Sequence, residues 1–149
     1  MEFDGLELKR LPREECLRLL SSVPVGRIIY TRQALPAVEL VNFAVHEGDI
    51  VFKADAGGKL GAAVRGAVVA FEADSLDVEG HTGWSVTVVG QCRAVTDPGE
   101  TERLRGIGIS PWAPGECEHF IRIPASIVNG RLLAGRPLEV LSRPRSAMS

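Results

Sequence analysis

The stretch Asp49–Ala73, DIVFKADAGGKLGAAVRGAVVAFEA, reads as strand, glycine turn, short helix and second strand. Ile50 to Ala54 has the β-branched and aromatic composition that suits a half-buried pleated surface. Gly57-Gly58 ends it with two residues that tolerate positive φ. Leu60, Ala63 and Val64 then fall at i, i+3 and i+4, an apolar stripe for a short helix that Gly66 terminates. Ala67 to Ala73 is the second apolar strand. Lys53 leaves the first strand and Lys59 opens the helix, with exposed N–H groups of the glycine turn between them. Two ammonium groups beside unpaired N–H groups suit an anion such as a phosphate. The same features, taken singly, also mark an ordinary solvated turn. The stretch is neither a Walker A loop nor a G-x-G-x-x-G dinucleotide fingerprint.

Working outward, Val38 to His46 is a strand with Val41, Phe43 and Val45 on one face and Leu40, Asn42 and Ala44 on the other. Neither face resembles a solvent face, so cover on both sides is expected. Gly26 to Thr31 reads as the preceding strand, Gln33 to Pro36 as a turn, and Glu47-Gly48-Asp49 as a tight hairpin. Pro12, Glu14 and Glu15 open a helix that buries Cys16, Leu17, Leu19 and Leu20. Residues 1–10 read as a polar arm. Downstream, DSLDVEGHTG reads as a polar loop, and Trp84 to Val95 as the longest strand. Gly90, in mid-strand, marks a bulge, a sharp bend or a close approach by another group. Asp97-Pro98 caps a second helix running to about Gly106. Ser110 to Gly115 is too rich in proline for regular structure, and His119–Ile123 and 127–133 read as closing strands.

Runs of adjacent strands favour antiparallel pairing over βαβ units. The expected fold is mainly β (α+β): a small antiparallel barrel with a few peripheral helices, in one domain over residues 1–141. A flexible polar tail over 142–149 is expected to follow. The 149 residues suffice for a real core, and a net charge of −2 gives no electrostatic footprint for nucleic acid. No apolar run approaches a membrane span and the first residues lack a signal-peptide core. Three cysteines, Cys16, Cys92 and Cys117, with no CxxC, point to reduced thiols and a cytoplasmic protein. Glu116-Cys117-Glu118-His119 gathers metal-ligand types, but a C-x-H pair cannot complete a tetrahedral site, and no metal is expected. Neither Ser85 nor Ser110 lies in a nucleophile elbow. Trp112, between prolines, suits packing on a partner subunit, over a ligand or on its own barrel.

VNFAV, GDIVFKADAGGKL, VVAFEAD and GWSVTVVGQCRAV, in this order and spacing, resemble the pyridoxamine 5'-phosphate oxidase-like family of flavin-binding split barrels, and within it the small FMN-binding members. The resemblance runs from LPREECLRLL through HFIRIP. It implies an FMN in a cleft between two subunits of a homodimer. By position, it places Asn42 and Phe43 beside the flavin ring, and Phe52, Lys53 and Ala54 near ribityl and phosphate. Lys59 and Leu60 fall at the phosphate turn, and Trp84 and Ser85 on a neighbouring strand that approaches the flavin.

Many relatives carry a hydroxyl residue where Ala54 stands and Ser or Thr where Gly58 stands. Each missing hydroxyl removes a hydrogen bond worth about 1.5–3 kcal/mol to a charged group. F420 or a haem-type ligand is therefore an alternative to FMN. No side chain stands out as acid, base or nucleophile, so any catalysis would occur at the flavin ring, with a small-molecule substrate or electron donor. The competing expectation is a non-catalytic carrier or sensor of the same ligands.

Overall fold

The computed structural model describes residues 2–3, 6–54, 59–109 and 119–135. The proline-rich segment, Trp112, the Glu116–Glu118 cluster, the Gly57-Gly58 turn and the C-terminal tail lie outside them. In chain order the elements are β1 (Glu2–Phe3), β2 (Leu6–Leu11), α1 (Arg13–Leu20), β3 (Val25–Arg32), β4 (Leu35–His46) and β5 (Asp49–Ala54). Then come α2 (Lys59–Val64), β6 (Val68–Asp77), β7 (Thr82–Gln91), β8 (Arg93–Ala94), α3 (Pro98–Arg105), β9 (His119–Ile123) and β10 (Ile127–Gly135). All described pairings are antiparallel, in the order β1-β2-β10-β7-β6-β3-β4-β5-β9-β8. The strands curl into a split barrel, as the sequence leads one to expect.

Two bent strands do the curling. β4 pairs with β3 up to Asn42 and with β5 from Phe43 onward, so it changes partners at one peptide. β7 pairs with β6 and β10, and after Cys92 its continuation β8 pairs with β9. The β7–β8 strand thus belongs to both ends of the sheet, which curls the strands toward closure. Gly90 makes the second bend possible: a Cβ there would overlap the Pro124 carbonyl oxygen. Of the three alternatives open at this glycine, a close approach is realised, beside the bend from β7 into β8.

The barrel interior is filled from every wall by Ile28 and Tyr30, Val41 and Phe43, Ile50 and Phe52, Val69 and Phe71, Val86 and Val88, and Ile121 and Ile123. Phe43 and Phe71 meet edge to face, centroids 4.6 Å apart. α1 closes this core with Cys16 and Leu20, and α2 with Val64. A smaller cluster lies under α3, where Leu104 and Ile109 cover Val51, Val95, Phe120 and Ala44. α3 starts as its sequence requires, with Asp97 accepting from the Glu100 N–H at 2.8 Å.

Two readings need correction. The N-terminal arm forms strands β1 and β2. Residues 6–11 (LELKRL) pair along β10, whose backbone groups would otherwise form an exposed edge. The polar loop after Ala73 is mostly strand as well: Ser75, Leu76 and Asp77 pair with Trp84, Gly83 and Thr82, leaving only a short turn at the hairpin tip. Polar composition hid the second, because the end of the hairpin leaves Ser75, Leu76 and Asp77 exposed.

Candidate functional site

Cross-strand register sorts the outward side chains into rows, because directly paired residues share a face. One row is apolar across five strands: Val38, Ile29, Ala70, Val89 and Ile127. Val38 is 60% exposed and Ile127 56% exposed at its two ends. The next row runs Leu40, Arg27, Glu72, Thr87 and Asn129, with Leu40 47% exposed. A third runs Asp74, Ser85, Arg131 and Arg10. β4 is thus covered on only one side along its first half. Val41 and Phe43 face the core, Ala44 lies under α3, and Val38 and Leu40 stand open.

Arg27 joins Glu72 at 2.9 Å and Asp74 at 3.4 Å. One guanidinium does not neutralise two carboxylates. Burial, helped by the hydrogen bond and charge of Asp74, pushes Glu72 up to about 7 despite Arg27. Beyond Ser85 the face opens into a groove of about 570 Å³ whose charged lining is Arg10 and Arg131, with Ser85, Thr87 and Asn129 beside them.

The residues assigned by sequence divide between two regions. Asn42 sits where β4 parts from β3. Its Nδ2 donates to the Pro24 carbonyl at 3.5 Å, and its Oδ1 is buried without a partner. Lys53 is half-buried on β5, its ammonium 5.5 Å above the Phe120 ring, with no carboxylate partner among the described residues. Phe43, Phe52 and Ala54 are buried in the barrel, so a ligand on the outer face would meet only their backbone. Leu60 packs against the core, while the Lys59 side chain is outside the described set.

Trp84 and Ser85 lie on β7, separated from β4 by β6 and β3. That separation is about 14 Å at the usual strand spacing. Trp84 packs against the core and Ser85 lies on the groove, so the two fall on opposite faces. One chain does not bring Asn42 and Lys53 together with Ser85. The sequence reading missed Arg10 and Arg131, which meet only through the pairing of β2 with β10.

Comparison with known proteins decides the family. The pyridoxamine 5'-phosphate oxidase family model matches residues 12–132, from the start of α1 into β10. The chain belongs to the pyridoxamine 5'-phosphate oxidase family.

It is 40% identical over 129 residues to the uncharacterized protein Rv0080 of Mycobacterium tuberculosis, covering 83% of this chain and 84% of that one. Among solved structures it is similar to the FAD binding protein of Mycobacterium smegmatis: 31% identity, TM-score 0.73, covering 85% of this chain and 98% of that one. A FAD-binding protein of Mesorhizobium loti shares the fold at 23% identity and a TM-score of 0.70, over 84% and 97% of the two chains.

Among the described residues no group of three His, Cys, Asp or Glu side chains is placed to hold a metal ion, and no helix is long and apolar enough to cross a membrane. The two described cysteines are free and buried. Burial pushes both thiols up, Cys92 to about 12.

Proposed function

We propose that the protein is a homodimeric flavoprotein that binds FMN or FAD between two copies of the barrel and carries out redox chemistry with a small-molecule partner. The observation that carries this reading is the division of the site. A ligand lying on β4 and β5 does not reach β7 of the same chain, but a second copy meeting the apolar row about a two-fold axis can supply β7. Family membership and 31% identity to a FAD binding protein support a flavin as the ligand.

The residues fit a flavin. The buried, unpartnered Oδ1 of Asn42 suits a ring N–H donor, since an unsatisfied buried acceptor costs about 1–3 kcal/mol until it is paired. Lys53 supplies, near the end of β5, an ammonium for the phosphate that has no carboxylate partner among the described residues, and Lys59 lies five residues past the strand. The backbone of Phe43 and Phe52, held flat by β4–β5 pairing, offers a wall for the ring. A bound flavin would supply hydride or single-electron transfer at its ring. The apolar row would exclude water from the cleft, and Asn42 would orient the ring.

Purified protein should carry a flavin absorption spectrum that a nicotinamide donor bleaches, with FMN or FAD released on denaturation. Lys53→Ala with Lys59→Ala should weaken FMN tenfold or more while leaving riboflavin unchanged. Colourless protein that takes up neither flavin would overturn the reading. A carrier or sensor would hold the flavin but fail to turn over with any donor.

A further inference from the structure

Arg131 of β10 pairs directly with Arg10 of β2. Like charges in directly opposed positions destabilise a sheet unless something compensates them. Here nothing in the described protein does: neither guanidinium has an ion pair among the described residues, and both are exposed. The pair instead lines a concave groove of about 570 Å³, and the lining continues through the Ser85 and Thr87 hydroxyls and the Asn129 amide. Two guanidinium forks beside hydroxyl and amide donors form a donor set for a multiply charged oxyanion. Asp74, in the same row as Arg131, and Glu72, in the next row, already share Arg27. Among the described residues the two arginines are left uncompensated.

We propose that this groove binds a phosphate-bearing group, a phosphomonoester or a diphosphate, held by Arg10 and Arg131 and aligned by Ser85 and Thr87. A volume in the usual range for small-ligand sites accommodates a nucleoside diphosphate as well as a bare anion. Two sources have this chemistry: the adenosine diphosphate half of FAD, or a diffusible phosphorylated reaction partner. The groove does not depend on the flavin reading, since its argument rests on the arginine pair alone.

The test uses the full chain as purified, at low salt, with inorganic pyrophosphate and ADP as probes and adenosine as the uncharged control. Calorimetry should show both anions binding and adenosine not. Arg10→Gln with Arg131→Gln should weaken both tenfold or more, while the melting temperature stays the same or rises as the like-charge contact is removed. Arg131→Lys, which keeps charge but loses the fork, should fall between.

FAD and FMN affinities then distinguish the sources. Loss of FAD affinity with FMN unaltered assigns the groove to the dinucleotide. Unaltered affinity for both, with ADP weakened, assigns it to a diffusible partner. Pyrophosphate bound through the arginine pair in a protein that takes up no flavin would leave this inference standing and overturn only the flavoprotein reading. No anion binding, or binding indifferent to both substitutions, overturns the groove.

Discussion

Gly90 and Pro124 meet backbone against backbone: the carbonyl oxygen of Pro124 occupies the space a Cβ on Gly90 would need. This contact lies where β7 turns toward β8 and where β9 passes into β10, so one residue sets how the barrel closes. Gly90→Ala must push the Pro124 peptide away or straighten β7. Overpacking of this kind costs about 1–3 kcal/mol. Denaturant unfolding should show the midpoint falling at constant slope. An unchanged midpoint would mean the β9–β10 link yields freely.

Arg122 is the buried charge that ties α3 to the barrel. It is 3% exposed, bonds Glu100 through Nη2 at 2.8 Å and Nε at 2.9 Å, and reaches Asp49 at 3.3 Å and the His46 carbonyl at 3.1 Å. Removing it leaves Glu100 and Asp49 in a poorly solvated position. Arg122→Ala should therefore cost about 3–5 kcal/mol, whereas Arg122→Met combined with Glu100→Leu should recover much of it. Thermal melts of the three proteins decide the matter. Equal losses in the single and double variants would show that packing, not charge, dominates.

Glu72 gives the protein a pH response of predictable sign. Its carboxyl is raised from 4.5 to about 7, so the folded protein holds a proton that the unfolded chain releases between those values. That contribution to stability is fully present below pH 4.5 and is lost as pH rises through about 7. Glu72→Gln, which cannot ionise, should raise the melting temperature at pH 8 and change it little at pH 4.5. A gain equal at both pH values would show that the Arg27–Glu72–Asp74 cluster acts through packing alone.

Most of the fold was legible because its signals are local. Asp97-Pro98 announced α3, Gly90 announced a bulge, a bend or a close approach, and alternation along 38–46 announced β4 with Val41 and Phe43 on one face. What failed lacked a local signature. Residues 6–11 become a strand because β10 offers unpaired backbone groups, a fact 120 residues away in the chain. The Arg10–Arg131 pair is invisible for the same reason. Asn42 was legible only through family resemblance, since a lone Asn carries no pattern, whereas Lys53 stood out with Lys59 on either side of a glycine turn. Alternation along the strand already sets Trp84 and Ser85 on opposite faces, as the structure has them, although the resemblance named both as approaching the flavin.

The open face of β4 yields the sharpest test of the dimer. Sequence alternation left two candidate surfaces, and the structure separates them: Val41 and Phe43 are each 6% exposed inside the barrel, while Val38 and Leu40 stand in the outer rows. A charge at Val41 should therefore unfold the subunit, which says nothing about association. A charge at Val38 or Leu40 should leave the subunit folded and break only what rests against it. If a second copy covers the apolar row, as proposed, the contact is of the obligate kind that buries about 2,000 Å² or more. Val38→Asp with Leu40→Asp should then give a monomer by sedimentation, with a native circular-dichroism spectrum. Because Ser85 would reach the flavin only from the partner, flavin should be lost in the same variant. A folded monomer that keeps its flavin would show that one chain completes the site, and a dimer that persists would place the interface elsewhere.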